Sequence, residues 1–295
     1  MPSLTRNTKA LAGSETPELP LDYDPRRKTV RRPPLAEELA AFREFNQATR
    51  TLTTVCRDAD GTIREVPTYV NEFWTAKQRQ ASSLQEISYR ACFKPQLPRF
   101  FIERLTQPGE TVYDPFMGRG TTLIEAALLG RVPYGCDINP LSVVLTRPRL
   151  CPPRLEDVAQ RLQQINFASG TAYPEELLVF FHADTLCALT ALKQYLLARR
   201  AAGLLDAVDD WICLVALNRL AGHSAGFFSV YTLPPNQAVS VKSQRKIAAR
   251  RNQIPPPRNV PALILRKTRQ LLRDCDAAAR RTLAKVAPRA ILLTQ

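Results

Sequence analysis

The residues best placed to do chemistry lie in one stretch, Asp114-Pro115-Phe116-Met117-Gly118-Arg119-Gly120-Thr121-Thr122, and in a second acid, Asp137, 23 residues after the first. A glycine-rich turn between a strand and a helix lets backbone N–H groups approach a ligand closely. An acid about 20 residues beyond such a turn, at the end of the next strand, typically accepts hydrogen bonds from ribose hydroxyls. Dinucleotides place a pyrophosphate on the helix N-terminus. The Asp114 carboxylate, directly before the glycines, would repel that group. A P-loop is excluded, because no Gly-Lys-Ser/Thr follows. S-adenosylmethionine has no phosphate and carries a sulfonium and an ammonium group, so the residues point to that cofactor.

Such a set needs a strand, a turn, a helix and a second strand in that order. Thr111-Val112-Tyr113 reads as the first strand, residues 121–129 as the helix and residues 132–138 as the second strand. Thr121 and Thr122 are expected to cap the helix, and Gly130 to end it. Strand, loop, helix and strand are the repeating unit of a doubly wound, Rossmann-like α/β sheet. Upstream, residues 1–34 read as a flexible basic arm, and residues 35–48 as a helix with Leu39, Phe42 and Phe45 on one face. Asp58-Ala59-Asp60-Gly61 marks a hairpin turn between residues 52–56 and 62–66, and residues 98–105 read as a helix. Downstream, residues 151–178 read as helical and irregular, and residues 178–181 as a third strand. Residues 204–220 read as an amphipathic helix, and residues 227–233 as a strand or a packed loop. Residues 241–281 read as two helices split by the prolines at 255–257, and residues 290–294 as the start of a buried strand. The expected divisions are an arm (1–34), a helix and hairpin region (35–89), the cofactor core (90–150), a mostly helical basic region (151–285) and the start of a further core strand (286–295). The sheet is therefore expected to be incomplete, with a helical insertion.

A 45% hydrophobic content in 295 residues suffices for a buried core. The formal charge of +14 favours a polyanionic partner, because Lys and Arg displace counterions from phosphates. The surplus concentrates between residues 241 and 281, where twelve Lys or Arg face two Asp. Lys242, Arg245, Lys246, Arg250 and Arg251 are the candidate nucleic-acid contacts. Seven cysteines without C-x-x-C spacing and only two histidines argue against a metal site. Reduced thiols fit a cytoplasmic setting. No apolar run approaches the ~20 residues that span a bilayer, so no membrane partner is expected. His182-Ala183-Asp184 could serve acid–base chemistry, but transfer from a sulfonium does not require it, and a structural or substrate-edge role is the expectation.

The stretch 114–122 resembles the cofactor motif of the amino-group DNA methyltransferases, the N6-adenine and N4-cytosine type. Leu123-Ile124-Glu125-Ala126-Ala127 and Gly135-Cys136-Asp137-Ile138-Asn139-Pro140 resemble its continuation. Phe93-Lys94-Pro95, followed by residues 98–105, resembles the short segment that precedes it. The resemblance covers roughly residues 90–147, and Arg119 stands where a small residue is more usual. It implies that Asp114 holds the methionine amino group, and that Phe116 and the Gly118 and Gly120 backbone line methionine and ribose. Asp137 would take the ribose hydroxyls and Ile138 the adenine, with Lys94 and Pro95 closing the other side. Pro115, Thr121, Thr122 and Asn139 complete the implied cofactor set.

The resemblance also implies DNA as partner, in a restriction–modification or orphan system. An RNA methyltransferase of the guanine-N2 type shares the same motif, and a non-catalytic nucleic-acid-binding protein that keeps the fold is a third reading. The DNA family uses an Asp/Asn/Ser-Pro-Pro-aromatic loop to orient the target amine and stack on the extruded base. The double prolines at 33–34, 152–153 and 255–257 fail at both flanks. Leu233-Pro234-Pro235-Asn236 is nearest, so Pro234, Pro235 and Asn236 are only weak catalytic candidates. The expectation is a truncated product or fragment, with that loop lying beyond Gln295.

Overall fold

A computed structural model of the chain describes residues 33–75, 81–89, 92–222, 224–230 and 239–295. The expected arm lies almost wholly outside them, and Pro234, Pro235 and Asn236 lie outside them too.

The first helix is shorter than its periodicity suggests. α1 spans Leu35–Ala41, and Phe42 turns extended. Its buried ring packs on Phe73 and Phe100, with centroids 5.1 and 5.7 Å away. Phe42 thus leaves the helix to join an aromatic cluster, and Asn46 at φ 59 keeps the chain from resuming it. β1 (Arg50–Arg57) and β2 (Ile63–Val70) form the expected antiparallel hairpin. Asp60 accepts from the Thr62 N–H at 2.9 Å in its turn, and Gly61 takes φ 85.

The main sheet has three parallel strands in the order β3 (Thr111–Asp114), β4 (Val132–Asp137), β5 (Ile291–Thr294). α3 (Thr121–Leu128) connects the first two, and α4 (Leu141–Leu150) follows β4. One sheet face packs tightly on α3: a Cβ at Gly135 would lie 2.3 Å from Leu123 Cδ1. On the other face Tyr113 is 62% and Leu293 44% exposed. The fold is therefore α/β, with one wound half of the expected sheet. α2 (Gln96–Leu105) packs beside α3.

Between α4 and β5 the chain inserts α5 (Leu155–Gln163), α6 (Ala183–Ala201), α7 (Ala207–Arg219), α8 (Val241–Arg251), α9 (Val260–Leu271) and α10 (Ala277–Val286). Residues 178–181 are not a strand. A 3-10 turn covers Glu175–Val179, and Phe180 accepts one hydrogen bond, from Val230 N, at 2.8 Å. Four consecutive apolar residues fit either conformation, and Pro174 starts the tighter one. α7 is buried around most of its circumference, with Trp211, Ile212, Leu214 and Val215 inaccessible and Trp211 Nε1 donating to Thr268 Oγ1 at 3.1 Å. It is a central core helix rather than an amphipathic one. The described part of 227–233 is a loop, and it buries Phe228 and Val230. The basic stretch adds a third helix, α10, after a break at Asp274 to Asp276. No helix among the described residues is long and apolar enough to cross a membrane. All seven cysteines are free thiols.

Asp209 anchors α7. It is fully buried, accepts from Arg199 Nε at 2.6 Å and from Arg161 Nη1, and completes a capping box with Asp206. Asp209→Ala would leave two guanidinium groups without their buried acceptor. It is expected to cost about 3–5 kcal/mol, read from urea unfolding.

Candidate cofactor site

The glycine loop sits where the chain leaves β3 and enters α3. Gly118 and Gly120 both adopt left-handed backbone, at φ 51 and 76. L side chains disfavour that region, so the two glycines are required by conformation. Gly120 also approaches α4, since a Cβ there would lie 2.2 Å from Thr146 Oγ1. The turn closes with Gly120 N donating to Met117 O at 2.6 Å, and Met117 N donating to Cys136 O of β4 at 3.0 Å. Gly120 itself is the N-cap of α3, without a side-chain bond. The expected threonine caps are therefore absent. Thr121 is instead buried, and its hydroxyl accepts from Arg119 Nε at 2.9 Å.

Two carboxylates flank this loop. Asp114 ends β3 and accepts from Phe116 N at 3.0 Å through Oδ1. Asp137 ends β4; its Oδ2 accepts from Gly118 N at 2.8 Å and its Oδ1 from Asn139 N at 2.9 Å. Partial burial raises the Asp137 pKa, but the two backbone N–H bonds outweigh it and the net direction is downward. Asp137 is thus a carboxylate at neutral pH that ties the turn after β4 to the loop after β3. Asn139 accepts from Leu141 N at 3.1 Å. Phe116 and Ile138 stand 86% and 84% exposed at the rim, with Pro115 exposed beside them. Large apolar side chains held this open are what a flat ring packs against.

The structure therefore brings Asp114, Phe116, Gly118, Gly120, Asp137, Ile138 and Asn139 to one end of the sheet. Thr122 lies in the first turn of α3. Lys94 and Pro95 stand at the head of α2, Pro95 buried as its N-cap and Lys94 exposed. Glu125, from the stretch that follows the motif, is a core carboxylate whose pKa is raised by burial and which accepts from Gln85 Nε2 at 3.1 Å. His182 is the N-cap of α6, its Nδ1 accepting from Asp184 N at 3.2 Å. Lys242, Arg245, Lys246, Arg250 and Arg251 are all exposed on α8, which packs on the Glu175–Val179 turn rather than beside the loop. Tyr89 and Arg149 were not expected from the sequence. The Tyr89 ring lies beside Gly118, within 3.4 Å of where a Cβ would be, and Arg149 donates to the carbonyl of Arg119 inside the loop. Neither carries a local signal, since Arg149 lies 30 residues beyond the residue it holds.

A parallel sheet with a left-handed glycine loop between two strand-end carboxylates is the frame of α/β proteins that bind nucleotide-like cofactors at the strand C-termini. Residues 23–145 match the family model of DNA methylases, N6 and N4 type. Three curated relatives agree. The type II methyltransferase M.MvaI of Kocuria varians is 32% identical over 97 residues, 32% of this chain and 20% of its own length. M.MjaII of Methanocaldococcus jannaschii is 37% identical over 62 residues, 21% of this chain and 12% of its own. M.BsoBI of Geobacillus stearothermophilus is 27% identical over 148 residues, 41% of this chain and 28% of its own. The matches thus span less than a third of each relative's length. No solved structure matches the chain significantly.

Proposed function

We propose that this chain binds S-adenosylmethionine at the ends of β3 and β4 and serves methyl transfer to an exocyclic amino group of a DNA base, adenine N6 or cytosine N4. The observation that carries the reading is the pair of carboxylates, Asp114 and Asp137, on either side of the left-handed loop. Asp114 spends one oxygen on Phe116 N, and among the described residues the other accepts no hydrogen bond, which suits an ammonium group. Asp137 keeps lone pairs beyond its two backbone bonds for ribose hydroxyls. Phe116 and the Gly118 and Gly120 backbone line methionine and ribose, Ile138 packs on adenine, and Lys94 and Pro95 close the far side. Pro115, Thr121, Thr122 and Asn139 shape the walls. When bound, the cofactor supplies an electrophilic methyl group.

The residues present hold and orient a cofactor. No double proline in the sequence has both an acceptor before it and an aromatic residue after it. Cofactor binding without transfer is a second reading that this observation favours. Tritiated methyl transfer to DNA and to tRNA, run beside calorimetry with S-adenosylmethionine, separates the cases. Transfer to DNA is the expected result once a target-orienting element is supplied. Transfer to tRNA alone overturns the DNA assignment.

α8 is the proposed phosphate contact. It carries five exposed cations, and its own sequence contains no acidic residue. Arg250→Ala with Arg251→Ala is expected to weaken DNA binding and reduce its salt slope by about 2, each lost phosphate contact removing about 0.9. A filter-binding titration with an unchanged slope contradicts this contact.

A further inference from the structure

Residues 84–89 run from the end of a 3-10 turn (Ser83–Gln85) into irregular chain, and their backbone is held by side chains from elsewhere in the fold. The Leu84 carbonyl accepts from Arg149 Nη1 at 3.2 Å, that of Glu86 from Lys267 Nζ at 2.5 Å, that of Ile87 from Arg119 Nη1 at 2.8 Å and that of Ser88 from Asn218 Nδ2 at 3.2 Å. These donors come from α4, α9, the glycine loop and α7. Three of the four are cations; two of these are buried and Arg119 is partly buried. Arg149 is inaccessible and Lys267 is 5% exposed. Burial pushes the Arg119 and Arg149 guanidinium groups and the Lys267 ammonium below their ordinary pKa values. Burying cations against carbonyls is costly, so this stitching is more than a solvated turn requires.

Its geometric result is local. Arg149 grips both Leu84 O and Arg119 O, and Arg119 reaches back to Ile87 O, so the segment and the glycine loop are locked as one unit. Gln85 Nε2 adds a bond to Thr121 O at 3.1 Å. At the segment's end, the Tyr89 ring lies against the open side of Gly118, and its hydroxyl stands 3.4 Å from Asn139 Nδ2. Tyr89 therefore bridges the loop after β3 and the turn after β4, the two edges of the proposed cofactor site.

We propose that residues 84–89 form a third wall of this site, with Tyr89 as a contact to the nucleoside part of the cofactor and with Arg119 and Arg149 as the residues that position it. The inference rests on the S-adenosylmethionine reading above. Arg119, the departure from the small residue usual in the motif, thereby has a role: its side chain leaves the loop to hold the wall.

Calorimetric titration with S-adenosylhomocysteine tests this. Tyr89→Ala should weaken binding about three- to tenfold, the worth of one aromatic contact, while Tyr89→Phe should bind like wild type. Arg119→Ala should weaken binding by a similar factor. The double variant Tyr89→Ala/Arg119→Ala should bind no more weakly than Tyr89→Ala alone, because Arg119 acts through the ring. A merely structural role for Arg119 would give effects that multiply. Arg149→Lys, which keeps a cation for one of the two carbonyls, should fall between wild type and Arg119→Ala. Tyr89→Ala binding like wild type, or multiplying single effects, overturns the wall while the cofactor reading stands. Failure of the wild-type chain to bind overturns both.

Discussion

Asp114→Asn is expected to weaken S-adenosylmethionine binding about tenfold to a hundredfold, the range of a charge-assisted hydrogen bond worth about 1.5–3 kcal/mol. The substitution is nearly isosteric, and its amide oxygen can still accept from Phe116 N, so the loop keeps its local tether. Only the negative charge facing the ligand is lost. Unfolding should therefore shift by less than about 1 kcal/mol, which a denaturant titration reads. The same experiment identifies which cation Asp114 meets. If it meets the ammonium, S-adenosylhomocysteine, which keeps the amine and lacks the sulfonium, should lose as much affinity as S-adenosylmethionine. A loss confined to S-adenosylmethionine would move Asp114 to the sulfonium and displace the proposed orientation of the ligand.

Gly120→Ala should be more damaging, because two effects act together. The residue sits at φ 76, where an L side chain costs about 1–2 kcal/mol. Its Cβ would lie 2.2 Å from Thr146 Oγ1 and 2.7 Å from Cγ2, inside a buried contact that cannot open without moving α4. The expected outcome is loss of more than about 2 kcal/mol of stability together with loss of measurable cofactor binding. The two causes can be separated. Thr146→Ala removes the nearest clashing atoms, and among the described residues its hydroxyl has no hydrogen-bond partner to forfeit. In the Gly120→Ala/Thr146→Ala double variant the clash should be largely relieved and the backbone strain should remain. Partial recovery of stability is the expected sign; none at all would place the cost in the backbone alone.

What the sequence disclosed was what is local. The loop, both strand-end acids and the hairpin turn depend on neighbours a few residues apart, and Asp58-Ala59-Asp60-Gly61 folds where its residue types place it. Helix ends were harder. α1 stops at Ala41 because Phe42 has a better site in an aromatic cluster built by Phe73 and Phe100, which lie far along the chain. The threonines after Gly120 look like caps, but the left-handed glycine takes that position, and the Thr121 hydroxyl turns to Arg119. Residues 178–181 offered only apolar character, which a buried turn satisfies as well as a strand. The wall around Tyr89 was the least legible part. Its positions are set by Arg149, Asn218 and Lys267, whose contacts reach 65, 130 and 181 residues along the chain.

Titration calorimetry of the wild-type chain with S-adenosylmethionine is the most direct measurement. Saturable binding to a single site, abolished by Asp114→Ala in a chain that remains folded, is the predicted result. A folded wild-type chain that gives no heat of binding would contradict a cofactor site between the glycine loop and Asp137.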